Sequence, residues 1–156
     1  MYDKFHGYLT ELEGNFAKLS QLLHNKLSAL ERFDIDRLDA IIKEEQVFVL
    51  LSKSFDANVA SYRQKLGLKG QQLSDIITEL PVEEQGRFQS IFKQLKASLN
   101  EVKTLNLKCQ DLIEERLYSL DKAIKELDRS TGASYGKQGD DSKRPGDPPH
   151  LFSKSV

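Results

Sequence analysis

The chain is poor in the residues that build reactive sites. Its 156 residues include one cysteine, one methionine, no tryptophan, three histidines and four prolines. A single cysteine excludes a disulfide framework within the chain and suits a reducing compartment. The histidines, His6, His24 and His150, are scattered, and Asp3 and Gln21 stand three residues before the first two. The Glu-x-x-His pairs of di-metal helical bundles are therefore missing, and no metal or other cofactor is expected. Gly67-Leu68-Lys69-Gly70 lacks the spacing and the Lys-Ser/Thr pair of a phosphate-binding loop. Acids and bases nearly cancel, leaving a net charge of −1 and no basic stripe to attract nucleic acid. No apolar run approaches the roughly 20 residues that a membrane-spanning helix needs, so no stable membrane insertion is expected. The opening Met1-Tyr2-Asp3-Lys4-Phe5-His6 lacks the basic-then-apolar layout of a signal peptide. The expectation is a soluble, cytoplasmic, non-enzymatic protein.

What the chain has in abundance is helical periodicity. Phe5, Leu9, Leu12, Phe16, Leu19, Leu23, Leu27 and Leu30 recur in steps of three and four, which predicts a first helix over about 2–33. Gly7 and Gly14 fall within it, and each costs about 1 kcal/mol of helix stability relative to Ala. Asp34-Ile35-Asp36 interrupts the pattern, and Asp36 is the expected N-cap of a second helix over about 37–66. So short a break predicts an antiparallel αα-hairpin. Within helix two, Val47-Phe48-Val49-Leu50-Leu51 is apolar on all sides; a third helix must cover part of it, or it forms a contact surface. Gly67 suits a left-handed C-cap, and Leu73, Ile76, Ile77 and Leu80 mark a short helix over about 71–80. Pro81, followed by Glu83 and Glu84, fits the start of a long final helix.

That final helix carries the longest stripe. Phe88, Phe92, Leu95, Leu99, Val102, Asn106, Cys109 and Ile113 alternate steps of four and three, with Asn106 the one polar member. The steps then slip: Ile113 is followed by Leu117, Leu120, Ile124 and Leu127, a stutter that rotates the apolar face. Cys109 is expected to pack as a small apolar residue. Asn106 is expected to fix helix register, with a hydrogen bond to a partner as the alternative. The extra length of this helix either packs along helices one and two, helix one having its own slip at Leu19, Leu23 and Leu27 that allows an antiparallel match, or waits for another protein. From Ser130 the composition changes to four glycines, three prolines and many small or charged residues, which predicts a flexible tail over 130–156 after a helical domain over 1–129.

Several local sequences, taken in order, resemble the FlgN family of flagellar export chaperones. Leu27-Ser28-Ala29-Leu30 followed by Asp34-Ile35-Asp36-Arg37-Leu38 and Glu44-Glu45 is similar to that family's first hairpin. Leu66-Gly67 and Leu73-Ser74-Asp75-Ile76-Ile77 match in position, and Leu105 to Ile113 resembles its Leu-Asn-x-x-Asn-x-x-Leu-Ile pattern, with Cys109 in place of the second Asn. Tyr135-Gly136 with Gly139 looks like the family's tyrosine-glycine motif after the last helix. With the helices read above, the expected fold is an all-α antiparallel bundle, or coiled coil, of three long helices and one short helix. The resemblance implies a chaperone that binds hook-filament junction proteins (the hook-associated proteins of the flagellum), prevents their premature assembly and delivers them to the flagellar type III export gate. Clients would be held by the C-terminal helical region, here Ile113, Leu117, Leu120, Ile124 and Leu127, and export-gate docking would fall on Tyr135. The competing readings are a structural coiled coil that self-assembles through the same five residues and, further off, a helical-bundle metal protein or enzyme.

Overall fold

A computed structural model describes residues 1–131, and these form four helices: α1 (Tyr2–Arg32), α2 (Ile35–Leu66), α3 (Leu73–Glu79) and α4 (Val82–Thr131). The all-α bundle expected from periodicity is the observed one. Ser130 and Thr131, expected to open the tail, instead close α4, while Tyr135 and the rest of the anticipated tail lie outside the described residues.

The α1 helix runs through Gly7 and Gly14 without a break. Its end is closed by Phe33, in the left-handed conformation at φ 55°, while the amides of Phe33 and Asp34 donate to the carbonyls of Leu30 and Ala29. The N-cap of α2 is Asp34, not Asp36: its carboxylate accepts from the Arg37 amide at 3.1 Å. The tight closure of α1 starts α2 two residues earlier than its apolar pattern suggests, and Asp36 falls inside the first turn. Asp34→Ala should therefore cost about 1 kcal/mol in urea denaturation, and Asp36→Ala only a few tenths.

Gly67 ends α2 at φ 69°, as anticipated. Gly70 is required for a different reason, because a Cβ there would stand 2.7 Å from Cβ of Asp75 and 2.8 Å from the Ile76 nitrogen. This close approach folds α3 back, with Gln72 and Asp75 forming a reciprocal capping box. Pro81 immediately precedes α4, and its carbonyl accepts from the amides of Glu84 and Gln85.

The α1 helix carries the principal contacts of the bundle, with α4 on one side and α2 on another, while α3 packs on α4. Consecutive long helices alternate in direction, so the first and last run parallel. The ion pair Asp3–Arg87 at 2.7 Å, the bond from Ser98 to Glu13 at 2.9 Å and the contact from Arg116 to the Glu31 carbonyl at 3.4 Å place α1 beside residues 84 to 85 positions later. The antiparallel match of helix one with helix four therefore does not occur. Three long helices linked in an up-down-up path leave no other choice for that pair. The α1–α2 pair is the antiparallel one, through Phe5 stacked on Tyr62 at 4.9 Å, Asn58 donating to the Tyr8 hydroxyl, and Lys26 paired with Glu45.

The core is continuous from Phe5, Leu73 and Phe88 at one end to Ala29 and Leu105 near the other. The seam of α4 differs by one position from the heptad reading. Leu105 and Ile91 are buried, whereas Asn106 and Phe92 are half-buried beside them. A period of 3.6 drifts against a seven-residue repeat, so both neighbours straddle the mean direction and packing selects the larger apolar member at 105.

Candidate functional site

The feature that sets this bundle apart is where its helices end. The α1 helix stops at Arg32, level with Arg116 of α4, but α4 continues to Thr131. The remainder, residues 117–131, is an arm of about 15 residues, or roughly 22 Å at 1.5 Å per residue. At its root the Arg116 guanidinium lies 4.3 Å from the centre of the Phe33 ring, and its Nη2 donates to the Glu31 carbonyl. These two contacts, on the residues that turn α1 into α2, seal the end of the bundle.

Beyond that seal the apolar stripe is uncovered. Ile113 is half-buried at the junction, while Leu117, Leu120, Ile124 and Leu127 are 53, 58, 50 and 63 % exposed. The alternative in which α1 and α2 pack along this stretch is thus not realised among the described residues. At 100° per residue the stripe's mean direction lies within roughly 50° of that set by Val102, Leu105 and Cys109. The slip after Ile113 therefore turns the face but keeps it on the side of α4 that α1 occupies lower down. An added helix laid on the arm would continue approximately where α1 leaves off.

The bundle next to the arm holds a feature that the sequence reading passed over. Glu45 occupies a seam position of α2, four residues after Ile41 and three before Phe48, and its carboxylate receives Lys26 at 2.9 and 3.1 Å. Both side chains are only 15 % exposed. The seam spacing itself was the available signal, because an acid at such a position needs a partner. Lys26→Met should cost roughly 2 kcal/mol, less than a fully buried pair because of residual solvent, and Glu45→Leu added to it should restore most of that. A double-mutant cycle by urea unfolding checks the pair. Nearby, the Cys109 thiol meets the Leu23 carbonyl at 3.8 Å, and burial pushes its pKa up. It is a packed thiol with a raised pKa, as its seam position suggests, and not an activated nucleophile.

His24 sits on the flank of α1, with Nε2 3.2 Å from Glu101, and the Glu101 carboxyl is held below its usual range by hydrogen bonds from His24 and Ser20. Among the described residues no group of three or more His, Cys, Asp or Glu is placed to hold a metal ion. No helix among them is long and apolar enough to cross a membrane. On α2, Val47 to Leu51 is helical, and Val47, Leu50 and Leu51 remain exposed, so of the two options for this segment the covering helix is absent from the described residues.

A bundle that extends one helix past its partners, with an open apolar face on the extension, has the geometry of a protein that receives a helix from another polypeptide. The chain matches the FlgN protein family over residues 1–143 and belongs to that family, the flagellar export chaperones. This is a family of chaperones and not of enzymes. Neither the curated proteins nor the solved structures contain a match.

Proposed function

We propose that this chaperone acts in the cytoplasm, binds hook-filament junction proteins through the arm of α4, keeps them from assembling early and brings them to the flagellar type III export gate. The observation that carries this reading is the uncovered stripe Leu117, Leu120, Ile124 and Leu127, starting at the half-buried Ile113, on a helix whose bundle partner has ended. A subunit that polymerises through amphipathic terminal helices must keep those helices covered until assembly. An arm with a complementary apolar face covers one as an added helix. Tyr135, outside the described residues, is the candidate contact with the export gate, on the candidate tail that follows α4.

The test is titration of purified junction protein into the intact chain by calorimetry. Saturable one-to-one binding, together with suppression of junction-protein self-association in light scattering, is the expected result. An absence of binding at high micromolar concentration would overturn the client assignment. The export-gate role is tested separately by Tyr135→Ala, which should leave junction-protein affinity unchanged while reducing capture of the chaperone–client complex by purified export-gate protein.

A further inference from the structure

The arm's apolar face has two unlike edges, and the difference specifies what can lie against it. Glu114, Asp121 and Asp128 repeat every seven residues and, at 100° per residue, form a row roughly 80° round from the centre of the stripe. All three are exposed. The opposite edge carries Arg116, Ala123 and Ser130 at the same spacing. Arg116 is held by the Phe33 ring and the Glu31 carbonyl, both uncharged, so that edge carries one cation at the root and no acid. Gln110 donates to Glu114 and Lys125 pairs with Asp121 at 3.1 Å, but that ion pair is exposed on both sides and Lys125 lies farther toward the back of the helix. Exposed pairs of this kind contribute little and exchange readily for others.

We propose that the helix received by the arm carries Lys or Arg at seven-residue spacing along the edge that meets Glu114, Asp121 and Asp128. The proposal rests on the arm being the docking face, and it adds the chemistry of the partner and its rotational setting. In paired helices the residues flanking the apolar seam choose partner and orientation. A basic-edged helix laid in continuation of α1 satisfies the acidic row.

A second copy of this chain does not. Antiparallel pairing of two arms about a point between Leu120 and Asp121 sets Leu117 level with Ile124 and Ile113 within a residue of Leu127, but it also brings Glu114 within a residue of Asp128 and Asp121 beside its own copy. Like charges then face each other along the whole edge. Parallel pairing of two arms in register brings the lower part of one α4 into the space that α1 of the other occupies, because face and α1 share one side of the helix.

The test uses the intact chain and three synthetic helical peptides with one common Leu/Ile stripe, edged with Lys, Gln or Glu, followed by fluorescence anisotropy. At low salt the Lys-edged peptide should bind about tenfold more tightly than the Glu-edged one, with Gln between, and the ratio should shrink toward one in 0.5 M salt. In a Glu114→Lys, Asp121→Lys, Asp128→Lys variant the order should reverse. All three positions are exposed, and if that variant does not fold, the peptide series on the unaltered chain decides alone. Equal binding of all three peptides overturns the edge proposal while leaving the arm as a docking face. Failure of every peptide to bind overturns both. A dimer in sedimentation that Leu120→Asp dissolves makes a second copy the occupant and also overturns the proposal.

Discussion

Ending the chain at Ser119 weakens binding of junction protein at least about tenfold and leaves the bundle folded, if the arm is the working part. The fully buried apolar side chains of α4 run from Phe88 to Cys109, and none lies in the arm. Removing the arm therefore withdraws almost nothing from the core, and the thermal midpoint should move by no more than about 2 °C, as expected for a change of a few tenths of a kcal/mol. The effect on binding is of another size. Full burial of a Leu or Ile side chain is worth about 1.5–3 kcal/mol, and the three exposed stripe residues that this truncation removes, Leu120, Ile124 and Leu127, have about half of that still to gain. Their gross contribution is roughly 2–4.5 kcal/mol; after the ordering costs of association, their loss should still weaken binding at least about tenfold. Leu120→Asp with Ile124→Asp should reproduce the loss in the full-length chain. Calorimetry and circular-dichroism melting of the same samples check both halves. A truncated chain that unfolds would show the arm to be part of the core.

The largest effect on stability should come from the opposite end of α4. Phe88 is fully buried, its ring centre lies 5.4 Å from that of Phe5 and 5.3 Å from that of His6, and the Arg87 guanidinium stands 5.6 Å from it. This cluster locks the start of α4 to α1, where Arg87 also holds Asp3. Phe88→Ala should cost about 3–5 kcal/mol, because the bundle end cannot collapse around so large a void. Against a total stability of about 5–15 kcal/mol, that is enough to lower the unfolding midpoint by on the order of 10–20 °C. Leu120→Ala, on the exposed arm, should change stability by less than about 0.5 kcal/mol. Urea unfolding of the two variants side by side measures the contrast directly.

Much of this architecture was legible because its elements are long and their apolar steps regular. Phe5 to Leu30, and Phe88 to Cys109, announce helices whatever they pack against. Gly67 was legible because a left-handed turn favours glycine. Other features depend on how helices meet. Nothing local separates Asp34 from Asp36 as a cap, since the choice is made by the way Phe33 closes α1. Leu105 displaced Asn106 from the seam because the facing helix, not the heptad count, sets the buried direction. The Lys26–Glu45 pair could be reached only by noticing an acid at a seam position and asking what neutralises it. The arm lies between these cases. Its stripe and its excess length were readable, but its exposure follows from the ending of α1 beside Arg116, and that requires the parallel register of the two helices.

The most direct measurement is amide hydrogen exchange of the intact chaperone, alone and saturated with junction protein. In the free protein, amides of the arm should exchange well ahead of those between Phe88 and Cys109, whose helix is covered by α1. On binding, slowing of exchange should concentrate in residues 113–131, with little change along α1 and α2. Protection confined to the exposed Val47–Leu51 face of α2, or exchange in the arm unaltered by saturating client, would contradict the account.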